Sequence, residues 1–240
     1  VTGANNGINA YSASSTTTLN VAANTVTGTN ANGIIANHRG TGGLRVSALN
    51  GDGTATATGD TNGIFAYNTN GGALTVLANN ARGINGYGIY AYSDGVAGIN
   101  VTTTGAVSGG LDGIYARSRG TGAITITSVN PDGDASVTGF VNGIRTYADL
   151  PSSYTTIQAN NVTGTTGSGI NVVHYGIAGV TVESTNDAGT AAALGNIDGI
   201  RVVINVGGAV EITANNVLGS IDNGIEVDTD IAGTDITVTV

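Results

Sequence analysis

The sequence predicts an all-β fold, a single right-handed parallel β-helix (solenoid) of about nine coils of 25–30 residues with three strands per coil. Two observations carry this prediction. A Gly-Ile pair recurs at nine regularly spaced positions along the 240 residues, and three segments between successive positions alternate apolar with polar residues. A fixed period of about 20–50 residues is typical of solenoids, and period-two alternation indicates strands with one buried face. Parallel strands joined by crossovers prefer right-handed connections.

Each period contains three recognisable strand patterns. The first is G-I-x-[A/V/T], as in 113–116; the second alternates apolar residues, as in Leu74 and Val76; the third ends in [V/A]-x-G, as in Val137 and Gly139. The glycines of the repeated pair are spaced by 25, 26 or 30 residues and are Gly7, Gly33, Gly63, Gly88, Gly113, Gly143, Gly169, Gly199 and Gly224. We therefore expect residues 1–240 to form one domain.

The longer periods carry about five extra residues between the second and third strands, at 50–53, 130–134 and 186–189. Insertions that recur at one point of a repeat predict loops on one side of the solenoid. Their aspartates, Asp52, Asp132, Asp134 and Asp187, are interpreted as turn formers that lie two or three coils apart.

Composition excludes several classes of function. The formal net charge is −9, lysine is absent and the seven arginines are not clustered, so no basic surface is available to neutralise the phosphates of a nucleic acid. No stretch approaches the roughly 18 consecutive apolar residues of a membrane-spanning helix, so this segment is not expected to insert into a membrane. The absence of cysteine excludes disulfides and thiolate chemistry.

One candidate contact face follows from the alternation in the first strand. If Ile and the residue two positions later face inward, the residues between them face outward and align from coil to coil. The resulting stripe consists of Phe65, Tyr67, Tyr90, Tyr92, Tyr115 and Tyr147, with Arg117 and Arg145 interleaved. Two interpretations stay open: the rings stack on one another for stability alone, or the stripe contacts a glycan or a protein.

The remaining polar residues favour structural roles, and no catalytic motif is found. Asn or Asp precedes the repeated Gly in most periods, which predicts a ladder of stacked side chains: Asn6, Asn32, Asn62, Asp112, Asn142, Asp198 and Asn223. The Ala-Asn series at 23–24, 78–79, 159–160 and 214–215 is interpreted in the same way.

An acidic cluster near the end of the chain is interpreted as a solvated face, with weak Ca²⁺ binding as the alternative: Asp222, Glu226, Asp228, Asp230 and Asp235. His38 and His174 lie about five coils apart and cannot share a metal. We expect no cofactor, no metal site and no enzymatic activity.

The run Gly113-Ile114-Tyr115-Ala116-Arg117-Ser118-Arg119-Gly120-Thr121-Gly122-Ala123-Ile124-Thr125-Ile126 resembles the repeats of bacterial autotransporter passenger domains, and the same rhythm covers essentially the whole chain. The resemblance implies a β-helical stalk that is exported through the outer membrane, is displayed on the cell surface or released, and is often adhesive.

The leading expectation is therefore a non-catalytic extracellular or cell-surface stalk or adhesin whose partner is a protein or glycan on a host or neighbouring cell. The first alternative is a self-assembling structural protein, such as a filament, sheath or surface layer. The second is a carbohydrate-active enzyme, which a facing pair of carboxylates in a groove would favour. The chain starts in a third-strand pattern and stops in a second-strand pattern, so we expect it to be a segment of a longer protein or fibre, with head-to-tail self-association as a possibility.

Overall fold

A computed structural model of the protein describes residues 1–13, 16–150, 153–229, 231 and 234–240. Within these residues the chain is all-β and contains no helix. Three parallel sheets of nine strands each form a β-solenoid of about nine turns, so the predicted fold class with three strands per coil is confirmed. The right-handed sense of winding stays a prediction.

The three sheets correspond to the three strand patterns of the sequence. The first sheet consists of β2 (Ile8–Ser12), β5 (Ile34–His38), β8 (Ile64–Asn68), β11 (Ile89–Ser93), β14 (Ile114–Ser118), β17 (Ile144–Ala148), β20 (Ile170–His174), β23 (Ile200–Ile204) and β26 (Ile225–Thr229). The second consists of β3 (Leu19–Ala23), β6 (Leu44–Ala48), β9 (Leu74–Ala78), β12 (Ile99–Thr103), β15 (Ile124–Ser128), β18 (Thr155–Ala159), β21 (Val180–Ser184), β24 (Val210–Ala214) and β27 (Ile236–Thr239). The third consists of β1 (Thr2–Gly3), β4 (Val26–Gly28), β7 (Thr56–Gly59), β10 (Asn80–Gly83), β13 (Ala106–Gly109), β16 (Ser136–Gly139), β19 (Asn161–Gly164), β22 (Ala192–Gly195) and β25 (Asn216–Gly219).

The register aligns equivalent residues of successive coils, and this alignment builds the core. Ile64, Ile89 and Ile114 pair with one another across β8, β11 and β14, and all three are fully buried. Burial of one such side chain stabilises the fold by about 1.5–3 kcal/mol. The Gly before each Ile is required by close approach of the coils, since a Cβ on Gly88 would lie 2.6 Å from the carbonyl oxygen of Gly113.

The inserted loops lie between the second and third strands, as the repeat spacing predicts. Each turns through a glycine in the left-handed region, with φ of +76° at Gly53, +73° at Gly133 and +68° at Gly189. Asp52 acts as the turn former expected of it, because its Oδ1 accepts hydrogen bonds from the backbone N–H and the hydroxyl of Thr54.

The predicted asparagine ladder is present at the corner before the first sheet. Asn32 donates from its backbone N–H and its Nδ2 to Asn6 Oδ1, both at 3.0 Å, and Asn62 Nδ2 donates to Asn32 Oδ1 at 2.7 Å. Further along, Asn142 donates twice to Asp112 Oδ1, at 2.9 and 2.8 Å. These bonds satisfy polar groups between coils that would otherwise be buried without partners.

The described residues include no helix with the length and hydrophobicity that a bilayer crossing requires.

Candidate functional site

The candidate contact face lies on the outer surface of the first sheet, and its residues align there as the alternation predicts. One outward column contains Phe65, Tyr90, Tyr115 and Arg145, which pair in that order across β8, β11, β14 and β17. The neighbouring column contains Tyr67, Tyr92, Arg117 and Tyr147 across the same four strands. The sheet therefore brings all eight predicted residues together.

The aromatic half of this face is a stack. The ring centroids of Phe65 and Tyr90 lie 4.7 Å apart, those of Tyr67 and Tyr92 also 4.7 Å, and those of Tyr90 and Tyr115 5.4 Å, with near-parallel planes. Stacked pairs contribute about 0.5–1.5 kcal/mol beyond area burial. Because the rings cover one another's faces, mainly their edges and hydroxyls meet solvent. Burial, together with the neighbouring tyrosines, raises the pKa of Tyr90 to about 12.

Tyr87 belongs to this stack although the stripe predicted from the sequence does not include it. It occupies the position before the repeated Gly, where seven of the other eight coils carry Asn or Asp and one carries Ser168. Its ring centroid lies 5.3 Å from those of both Tyr90 and Tyr115. The sequence contains a sign of this role. Tyr87 replaces the usual ladder residue directly before the strand that has tyrosines at both outward positions, Tyr90 and Tyr92.

Tyr92 is the most buried member of the predicted set, with 7% of its surface exposed. Its hydroxyl donates to Asp94 Oδ1 at 2.9 Å and accepts from Arg119 Nη1 at 3.3 Å. Burial is the main reason why the pKa of Tyr92 is raised. Tyr92 therefore supports the stack and offers little surface to a partner.

The other half of the face combines cations with a ring. The guanidinium carbon of Arg117 lies 5.3 Å from the ring centroid of Tyr147, and that of Arg145 lies 5.8 Å from the centroids of both Tyr115 and Tyr147. Arg117 is also paired with Asp149, whose Oδ2 accepts from its Nη2 at 2.8 Å and its Nε at 3.1 Å. This bond raises the pKa of Arg117.

Two clefts border this half of the face, and Tyr147 lines the smaller of them. One has a volume of about 340 Å³ and is lined by Arg117, Tyr147, Asp149 and Tyr175. The other has a volume of about 530 Å³ and lies beside the corner before the first sheet, where Arg145, Asn171, Asp198, Arg201 and Glu226 contribute to its lining. Of these residues, only Arg117, Arg145 and Tyr147 belong to the contact face predicted from the sequence.

Three buried polar atoms of residues that line these clefts have no hydrogen-bond partner among the described residues: Arg145 Nε, Asp149 Oδ1 and Asn171 Oδ1. Six other such atoms belong to residues elsewhere in the solenoid. A buried polar atom without a partner costs about 1–3 kcal/mol. The Tyr147 region therefore carries an unmet capacity for hydrogen bonds, whereas the aromatic stack is held by contacts among its own members.

The acidic cluster is partly neutralised within the protein. Glu226 Oε2 accepts from Arg201 Nε at 2.8 Å, and Asp228 Oδ2 lies 3.8 Å from Arg201 Nη2. Asp230 lies outside the described residues. Within the part of the chain that the structure describes, no group of three or more His, Asp or Glu side chains is arranged to hold a metal ion.

Comparisons with models of protein families, with curated proteins and with solved structures find no match for this chain.

Proposed function

We propose that the protein is a non-catalytic extracellular or cell-surface stalk or adhesin, similar to an autotransporter passenger domain, that contacts a surface protein or glycan through the outer face of its first sheet. The observation that carries the proposal is the row of aromatic and arginine side chains on four successive coils, with one cleft lined by Tyr147 and a larger one lined by Arg145. Tyrosine and arginine are the residue types that dominate the energetics of binding surfaces.

The rest of the fold supports a scaffold role. The coils repeat one register, so the solenoid aligns its outward residues in columns from coil to coil. These columns offer a partner a continuous contact area on the first sheet.

The proposal is tested with labelled protein on panels of immobilised glycans, extracellular-matrix proteins and whole cells. Tyr147→Thr is compared with Tyr154→Thr, because Tyr154 is a half-exposed tyrosine outside the first sheet whose hydroxyl bonds Thr181. We expect Tyr147→Thr to lower binding roughly tenfold, as the loss of a central aromatic contact does. Equal binding by both variants and the unchanged protein would overturn the proposal.

A second candidate is a carbohydrate-active enzyme, and one observation favours it. The larger cleft brings Asp198, Asp222 and Glu226 to a common wall, so carboxylates of adjacent coils share a groove. Each of them already has a partner: Ser168 Oγ for Asp198, Asn223 Nδ2 for Asp222 and Arg201 for Glu226. The first candidate is favoured because the aromatic and arginine row extends over four coils, whereas these carboxylates bond groups of the protein itself.

Incubation with polysaccharides, followed by assay of new reducing ends and of unsaturated products, separates the two candidates. Steady product formation that is lost in Glu226→Gln would favour the enzyme. Binding without product formation would favour the adhesin.

A further inference from the structure

We infer that the larger cleft, which Arg145 and Asn171 line, binds an uncharged carbohydrate, with the guanidinium of Arg145 and the amide of Asn171 as its hydrogen-bonding pair. This inference rests on the proposed contact function and names the class of ligand. It assigns the ligand to the polar side of the face, where Arg145 follows Tyr115 in the outward column and Asn171 follows Arg145.

Arg145 is held by its faces, and its edges have no hydrogen-bond partner among the described residues. Its guanidinium is positioned over the rings of Tyr115 and Tyr147, but it forms no ion pair or hydrogen bond with any described residue. A guanidinium carries its five N–H donors in the plane of the group. A guanidinium that is stacked on rings can therefore direct these donors towards a ligand at its edge.

Asn171 lies directly opposite Arg145 on the next coil, and its side chain also has no hydrogen-bond partner among the described residues. Paired residues of adjacent strands are about 5 Å apart. An unused donor and an unused acceptor thus stand one coil apart on the wall of the same cleft. A hydroxyl group accepts from the donor and donates to the acceptor, so one sugar hydroxyl satisfies both.

Charge selects an uncharged ligand over an acidic one. Two cations, Arg145 and Arg201, face three carboxylates in this cleft, those of Asp198, Asp222 and Glu226. The whole chain carries a formal net charge of −9. A uronate or sulfate group would meet more negative than positive charge here, whereas neutral hydroxyls lose little by entering.

The cleft has a suitable size and neighbourhood. Its volume of about 530 Å³ is in the range of small-ligand sites, which is about 300–1,000 Å³. Ile197 and Val141 add apolar surface to its wall, and an apolar surface with a few convergent polar groups is typical of small-ligand sites.

The test uses the full chain and isothermal titration with neutral oligosaccharides of glucose, mannose, galactose and N-acetylglucosamine, and with oligogalacturonate as the acidic comparison. The test variants are Arg145→Met and Asn171→Val. The matched controls are Arg45→Met and Asn100→Val, because Arg45 and Asn100 are exposed on the outer face of the second sheet. Thermal melts monitored by circular dichroism verify that all four variants are folded.

We expect at least one neutral oligosaccharide to bind, with little dependence on salt. Its affinity should fall about tenfold or more in Arg145→Met and about fivefold in Asn171→Val, with no change in the controls. Neutral oligosaccharide binding that both test variants retain would overturn the inference. Adhesion that requires Tyr147 but is competed only by a protein or by oligogalacturonate would overturn the ligand class and leave the proposed function standing. Adhesion that is indifferent to Tyr147, together with no binding of any neutral oligosaccharide, would overturn both.

Discussion

The backbone N–H of Tyr87 donates to Asn62 Oδ1 at 2.8 Å, and at this bond the asparagine ladder gives way to the aromatic stack. Asn62 is bonded on its other side to Asn32, as a regular ladder member. The ring of Tyr87 instead packs against Tyr90 and Tyr115 on the outer face. One substitution in the repeat therefore joins a structural column to the candidate contact face.

The ladder predicts a large stability loss when one member is removed. Asn142 donates twice to the buried Asp112 and accepts from the backbone N–H of Ser168. We expect Asn142→Ala to lower the free energy of unfolding by about 2–4 kcal/mol, because it leaves a buried carboxyl and a buried N–H with fewer partners. Urea unfolding followed by circular dichroism measures the change. The exposed Asn100→Ala serves as control and should stay within about 0.5 kcal/mol.

We expect Asp112 to make the stability of the protein depend on pH, and we expect Asp112→Asn to remove this dependence. Burial raises the pKa of Asp112 above 3.8, its value in an unfolded chain, so the folded state binds this proton more tightly. Its contribution to stability is therefore present below about pH 3.8 and is lost as the pH rises through the folded pKa.

Asp112→Asn should match the unchanged protein at low pH and exceed it in stability at neutral pH, as measured by urea unfolding across the pH range. Asp52→Asn is the contrasting variant. Hydrogen bonds from Thr54 lower the pKa of Asp52, so the Asp52 carboxylate stabilises the fold at neutral pH and loses this effect in acid. A pH profile that is unchanged by Asp112→Asn would contradict this account.

The fold was accessible from the sequence because the repeat and the alternation are properties of the chain itself. The Gly-Ile spacing placed every coil, and the alternation assigned Tyr90, Tyr115 and Arg145 to one outward column. The stack, the ladder and the inserted loops follow from that register, since parallel in-register strands bring equivalent residues together.

Only part of the candidate site could be predicted from the sequence, because the periodicity does not specify contacts between residues at the corners or the pairing of side chains. Asp149 and Tyr175 lie just after the first strands of their coils, outside the alternating pattern, yet both line the cleft beside Tyr147. Likewise, the loops at 130–134 and 186–189 belong to coils two apart, yet Asn186 Nδ2 donates to the Gly133 carbonyl at 3.4 Å. Loop conformation decides such contacts, and composition alone does not specify it.

We expect His174 to lower the stability of the protein in acid, which is the opposite of the effect of Asp112. Burial lowers the pKa of His174 from 6.5 to about 4, while its Nδ1 lies 3.1 Å from the hydroxyl of Thr155. The unfolded chain therefore binds more protons than the folded protein between about pH 4 and 6.5, and stability rises with pH across this window. The effect amounts to at most about 3 kcal/mol.

His174→Ile should flatten this part of the stability profile, because the next coil already carries Ile204 at the paired position. Urea midpoints measured between pH 4 and 7 give the slope. If the variant retains the full slope, His174 is not its origin.

Substitutions of Tyr90 measure how much ring stacking contributes to stability. Tyr90→Phe keeps the ring between Phe65 and Tyr115, so we expect a change in the free energy of unfolding of less than about 1 kcal/mol. Tyr90→Ser removes the ring and should cost about 3 kcal/mol. Tyr154→Ser, outside the stack, should cost less than about 1 kcal/mol. Similar losses in Tyr90→Ser and Tyr154→Ser would show that stacking contributes little to stability.

The inserted loops are held by asparagines of the following coil, which predicts a local effect. Asn161 Nδ2 donates to the carbonyls of Gly133 and Ala135, and Asn216 Nδ2 donates in the same way to those of Gly189 and Ala191. We expect Asn161→Ala to lower the global stability by about 1–2 kcal/mol and to accelerate amide exchange at 130–135. Hydrogen–deuterium exchange with mass spectrometry locates the change. Asn216→Ala is the matched control, because it should accelerate exchange at 186–191 and leave 130–135 unchanged; the reverse pattern, or uniform acceleration in both variants, would show that these bonds do not hold the loops individually.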